Sequence, residues 1–263
     1  MSILLITVFI FSGAAGLIYE SIWSRYLGLF VGHSAYAQVI VLVIYLGGMS
    51  IGSAIAARRS ARIREPLIAY AIVEGIVGLL GLVFHDAFLG VTDFAYSTIF
   101  PALAGGPALV IVKWSLAGLL ILPQAVLLGA TFPLMSAGLI RLVSRDGRSD
   151  TGRLIAVLYF ANSLGAAVGV LVAGFYLIGA AGLPGTILTA AIINLLVGLT
   201  VFGAVRLAQE HDEPGTAPPQ VPASAASAPS AELPLLWRVL LIVTAGTALS
   251  SFIYEIAWVR MLS

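Results

Sequence analysis

Seven runs of roughly twenty or more apolar residues fill most of this chain, and a run of that length leaves few structures open. A helix rising 1.5 Å per residue needs about 20 apolar residues to cross the hydrocarbon core of a bilayer. Six such runs cover 3–24, 35–57, 66–89, 108–140, 154–178 and 184–206, and a seventh covers 235–260. Lipid offers backbone groups no hydrogen-bond partner, so each run has to satisfy its own as a helix. Charged residues are only 10% of the chain and mean hydropathy is +1.07, where a soluble domain carries about a quarter charged residues. The expected fold class is all-α, a polytopic membrane helix bundle whose first partner is the lipid bilayer. A net charge of +1 gives no footprint for nucleic acid. The absence of cysteine removes thiol catalysis, disulfides and cysteine-based metal sites, and three scattered histidines make no metal centre.

The first run and the seventh share a motif. Gly16-Leu17-Ile18-Tyr19-Glu20-Ser21-Ile22-Trp23-Ser24-Arg25 returns as Ser251-Phe252-Ile253-Tyr254-Glu255-Ile256-Ala257-Trp258-Val259-Arg260, an offset of 235 residues that also aligns Leu27 with Leu262. An internal repeat marks the start of a second structural unit. It also argues that Met1–Gly16 is a retained helix: the stretch lacks the basic start of a signal peptide, and its copy is internal. The expected organisation is a six-span bundle at 1–207, a disordered cytoplasmic linker at 208–233, and a seventh transmembrane helix at 234–263 that opens a second repeat. The linker assignment rests on its Pro, Ala and Ser content. A chain ending at Ser263 reads as a second half cut off after its first helix.

Arginine sets the orientation. Arg58, Arg59, Arg62 and Arg64 follow run two, Arg141, Arg145, Arg148 and Arg153 surround the loop after run four, and Arg206 and Arg238 flank the linker. These make ten of the thirteen basic residues. The opposite loops, 92–107 and 180–184, hold no Lys or Arg. The positive-inside rule then places the N-terminus in the cytoplasm and the protein in the cell membrane, the cytoplasmic or inner one. An even number of spans before the linker makes the repeat parallel, as between the halves of major-facilitator transporters.

Charges inside the runs are the candidates for function, because they are costly in lipid. Glu20 shares a helix face with Gly13, Gly16 and Ser24 and so points at neighbouring helices. Arg25 lies about 140° around the helix from it, out of register for an ion pair. Lys113 falls at a similar depth near the outer leaflet and is the expected structural partner of Glu20. Deeper, Glu74 in run three and Asn162 in run five both lie about 12 Å from the cytoplasmic side, with Tyr45, Asn194 and Gln124 as further polar groups. Tyr19 and Trp23 beside the carboxylates suit a small organic cation through charge and cation–π attraction. The substrate-binding candidates are therefore Tyr19, Glu20, Trp23, Glu74, Lys113 and Asn162. Gly48 with Gly52, Gly165 with Gly169, and Gly75, Gly78 and Gly81 have the small-residue spacing of close helix packing. Pro123 and Pro133 are expected to break or bend run four. No phosphate loop, catalytic triad or metal spacing is present, so no catalytic residue, cofactor or metal is expected.

Three motifs carry a resemblance. Ser12-Gly13-Ala14-Ala15-Gly16-Leu17-Ile18-Tyr19-Glu20 with Trp23 and Arg25, Leu128-Gly129-Ala130-Thr131-Phe132-Pro133-Leu134, and Leu158-Tyr159-Phe160-Ala161-Asn162-Ser163-Leu164-Gly165-Ala166 resemble the fused major-facilitator/spermidine-synthase family. The resemblance covers most of 1–207 and resumes at 240–263. It implies membrane helices joined to a domain like the polyamine aminopropyltransferases, which transfer aminopropyl from decarboxylated S-adenosylmethionine to putrescine. This chain has no Gly-rich αβ segment for that chemistry, so the resemblance implies a membrane module and not an enzyme. Two functions stay open: a transporter-like module for polyamines or other small organic cations, or a non-transporting anchor for an aminopropyltransferase domain. A second membrane bundle or a synthase-like domain would be the partner. A water-accessible cavity lined by Glu20, Glu74 and Asn162 would favour transport; a dry, fully paired interior would favour the anchor.

Overall fold

The computed structural model describes residues 1–32, 34–60, 62–103, 106–145, 151–211 and 233–262. Every regular element among them is helical, as lipid requires of an open chain. In order they are α1 (Ser2–Val31), α2 (Ser34–Ser60), α3 (Pro66–Phe94), α4 (Pro107–Arg145), α5 (Thr151–Val172), α6 (Ile178–His211) and α7 (Leu233–Leu262). Five continuous helical stretches are long and apolar enough to cross a membrane, the last being Thr151–Gln209. That last stretch makes two passes, because Gly182 (φ 66°, ψ −173°) breaks the helix inside it. Only glycine takes that conformation cheaply, and Pro184 then starts the next pass at a position needing no N–H donor. The protein is a multi-pass membrane bundle.

Met1–Asp212 forms one compact unit and Glu213–Ser263 a second. Within the first, α1 lies at the centre and touches α2, α3, α4, α5 and α6. It is apolar on all faces, as a central helix must be, and Gly32 in the left-handed conformation (φ 82°) ends it by donating to the Gly28 carbonyl. Three pairings dominate the bundle: α1 with α5, α2 with α4, and α3 with α6.

Glycine makes each of these pairings close. A methyl group on Gly165 or Gly169 would strike the α1 backbone at Ile10 or Ala14, and one on Gly52 or Gly129 would strike Val126 or Met49 across the α2–α4 contact. On α3, Gly78 faces Ala191 and Leu195, while Gly198 of α6 faces Ala71 and Gly75. The register shows α1 parallel to α5 and α2 parallel to α4, with α3 antiparallel to α6. The spaced small residues of the sequence are thus the helix contacts.

Two features depart from expectation. Helix α4 runs continuously through Pro123 and Pro133 and is not broken at either. Helix α3 does not stop near residue 89 but continues to Phe94, then through a π-helical turn, Ala95–Ile99, to Phe100–Ala102. Aromatic contacts explain the extension. The Tyr96 hydroxyl donates to the Phe30 carbonyl at 2.8 Å, and the Tyr96 and Phe100 rings pack on Phe30. Helix α6 extends through His211; residues 212–232, most of the expected linker, lie outside the described residues. In the second unit, α7 stands as a 30-residue helix. The side chains of Glu255, Trp258 and Arg260 also lie outside the described residues.

Candidate functional site

Two apolar clusters fill the first unit. One is built on Tyr19, Ile22, Trp23, Tyr26, Phe30, Ile40 and Ile121, the other on Leu5, Phe9, Tyr70, Met135 and Leu139. Between them α1, α3 and α6 meet at Glu74, which is fully buried. A polar group buried this far from water has to find its partners inside the protein. Ser12 of α1 donates its hydroxyl to Glu74 Oε1 at 2.5 Å, and Asn194 of α6 donates its side-chain amide to Glu74 Oε2. Tyr70, one turn before Glu74 on α3, brings its hydroxyl beside the Ser12–Glu74 pair. Tyr19 lies close enough to sense the Glu74 charge, yet its hydroxyl has no hydrogen-bond partner among the described residues.

The other predicted residues surround this junction. Asn162 of α5 is half-buried and meets α1 at Gly13, one residue from Ser12. A methyl group on Gly13 would come within 2.8 Å of the Asn162 Oδ1 atom. Trp23 and Tyr19 stack, with ring centroids 5.4 Å apart and planes at 20°. Trp23 also meets Tyr45 and Phe84, each at 6.1 Å. Buried Trp23 Nε1 and Asn194 Oδ1 have no hydrogen-bond partner among the described residues. Glu20 is half-buried one turn below Ser24, whose hydroxyl donates to the Glu20 carbonyl, and it lies in electrostatic range of Tyr45.

Lys113 is farther out. Its ammonium lies 5.2 Å from the Phe100 ring and 6.0 Å from the Tyr96 ring, in the range of a cation–π contact. The structure thus brings Glu74, Tyr19 and Trp23 into one continuous cluster with Asn162 at its flank, and puts Lys113 in an aromatic setting at the end of the bundle opposite Arg64 and Arg141. Sequence reasoning missed Tyr70 altogether, although its i,i+4 spacing to Glu74 was a usable signal. Ser12 and Asn194, which the sequence places on two other helices, are both partners of Glu74.

About three quarters of this chain matches known relatives. Over 199 residues the chain is 27% identical to Polyamine aminopropyltransferase 1 of Streptomyces coelicolor, an overlap of 76% of this chain and 33% of that protein. Over 196 residues it is 32% identical to Polyamine aminopropyltransferase 2 of the same organism, covering 73% of this chain and 32% of that protein. This chain is similar to polyamine aminopropyltransferases. It spans about a third of the length of these relatives. No protein-family model matches the chain, and no solved structure matches it.

Proposed function

We propose that this chain is the membrane module of a polyamine-linked protein and holds an aminopropyltransferase-like domain at the bilayer. The observation that carries the proposal is the similarity to two polyamine aminopropyltransferases over three quarters of a chain built of apolar helices. The interior supports anchoring. Glu74 has no exposed surface and both its oxygens accept hydrogen bonds, so the deep carboxylate is closed to a solute in this conformation. In this reading the module itself catalyses nothing and needs no cofactor. It sits in the inner membrane with its N-terminus in the cytoplasm, as the arginine distribution supports.

Translocation of a polyamine or another small organic cation is the second reading. Three buried polar atoms without a hydrogen-bond partner among the described residues favour it: the Tyr19 hydroxyl, Trp23 Nε1 and Asn194 Oδ1. Two of them accept hydrogen bonds from an ammonium, and the Trp23 face attracts a cation. Glu20 would receive the solute on the outer side, held there by its proposed pair with Lys113, and Glu74 with Asn162 would hold it deeper. As in transporter-like halves, the bundle would have to open between α1 and its neighbours.

Uptake of radiolabelled putrescine and spermidine into proteoliposomes separates the readings. Anchoring predicts no flux above protein-free vesicles, while a soluble reporter fused to residues 1–211 sediments with membranes. Flux that disappears in Glu74→Gln would overturn anchoring and establish translocation.

A further inference from the structure

We propose that the cleft at the arginine-bearing end of the first unit binds the headgroup of an anionic phospholipid. The cleft encloses about 160 Å³ where four separate pieces of chain converge: Met1, the turn between α2 and α3, the end of α4 and the end of α6. Its floor is apolar, made by buried Leu67 and Val205 and half-buried Leu142. Its mouth is cationic. Arg64 is exposed there, on the α2–α3 turn that also carries Arg62, while Arg58 and Arg59 lie in the last turn of α2 outside the cleft.

Two contacts hold this arrangement. Arg141 of α4 donates to the carbonyls of Ile63 at 2.6 Å, Arg64 at 3.0 Å and Ser60 at 3.1 Å. Those bonds clamp the α2–α3 turn and fix Arg64 at the rim. Gln209 of α6 donates to Glu65 at 2.8 Å, which draws the acid of the rim toward α6.

An apolar floor under a cationic rim, at the level where helices leave the bilayer, matches a phosphodiester joined to acyl chains. A free phosphate compound has no use for the apolar floor. A choline headgroup would bring its own ammonium among the arginines. Bulk basic charge attracts anionic lipid diffusely, whereas a clamped turn beside a defined cleft predicts a site that shape as well as charge can block.

The test uses the purified full chain, delipidated in a neutral detergent. Phosphatidylglycerol and phosphatidylcholine of equal acyl length are titrated in turn, with thermal unfolding and native mass spectrometry as readouts. Phosphatidylglycerol should stay bound and raise the unfolding temperature, and phosphatidylcholine should not. Arg64→Gln should weaken phosphatidylglycerol binding about fivefold, the weight of one basic residue beside an anionic lipid. Ala208→Trp, which fills the cleft without changing charge, should abolish the lipid-specific shift, while Arg58→Gln outside the cleft should leave it. Equal stabilisation by phosphatidylcholine would overturn the proposal. So would the same shift from glycerol 3-phosphate alone, which would mark a soluble phosphate site. Loss of binding in Arg58→Gln and Arg64→Gln alike, with Ala208→Trp unaffected, would reduce the effect to diffuse surface charge and overturn it too.

Discussion

Replacing Glu74 by leucine would strand two donors at once, the Ser12 hydroxyl and the Asn194 amide. A buried donor left without an acceptor costs about 1–3 kcal/mol, so Glu74→Leu should destabilise the purified protein by at least that much. Glu74→Gln should cost less. The glutamine oxygen still accepts from Asn194, and the Ser12 hydroxyl can turn to accept from the new amide. Unfolding followed by circular dichroism in mixed detergent compares the two; equal losses would show that the hydrogen bonds are not what matters there. Lys113 poses a second question at this scale. If its setting is the aromatic pair Tyr96 and Phe100, Lys113→Gln should cost about 0.5–2 kcal/mol and add independently to Glu20→Gln. The proposed ion pair instead predicts losses of about 3–5 kcal/mol for each single substitution and substantial recovery in the double. A double-mutant cycle gives the coupling directly.

Helix pairs in lipid lack a hydrophobic force between them and depend on close contact. That makes the glycines of the α1–α5 and α2–α4 contacts unequal to the others. Gly165→Ala and Gly52→Ala each drive a methyl into the backbone of the facing helix, and overpacking of this kind costs about 1–3 kcal/mol. Gly47→Ala and Gly90→Ala place the same methyl in open space, where helix propensity gains up to about 1 kcal/mol. The two groups should therefore shift the unfolding midpoint in opposite directions. A uniform response would mean that the helices part far enough for the contacts not to count. The π-helical turn after α3 belongs to this scale as well: it is held by ring contacts of Tyr96 and Phe100 and not by its own propensity.

For the molecule as a whole, the arginine pattern predicts which end faces the cytoplasm. The chain has no cysteine, so single cysteines report cleanly. Ser60→Cys should resist a membrane-impermeant thiol reagent in intact cells, and exposed Ser97→Cys at the other end should label. The reverse pattern would invert the proposed topology. The division into units predicts a further asymmetry. Deleting 235–263 should leave the first unit folded, because Met1–Asp212 is compact by itself. Deleting 1–28 should abolish folding, since α1 touches all five other helices of that unit. Equal folding yields from both deletions would contradict the central role of α1.

The length and spacing of apolar runs were enough to determine an all-helical membrane bundle, since lipid leaves a chain of this kind no other way to satisfy its backbone. The loop at 180–184 marked the break that Gly182 makes inside α6, and the Gly48/Gly52 and Gly165/Gly169 spacings marked contact faces. These are local signals, carried by neighbours along the chain. Which face meets which helix is not local. The sequence held Ser12, Glu74 and Asn194 at separations of 62 and 120 residues, and only the packing of α1, α3 and α6 makes them one site. Lys113 shows the same limit from the other side. Its depth along the helix could be read from the sequence, but the rings of Tyr96 and Phe100 reach its ammonium only through the fold of the α3 extension. The clamp of Arg141 on the α2–α3 turn was equally invisible, because a guanidinium that binds carbonyls 77 to 81 residues away leaves no pattern in the sequence beyond one more arginine at a helix end.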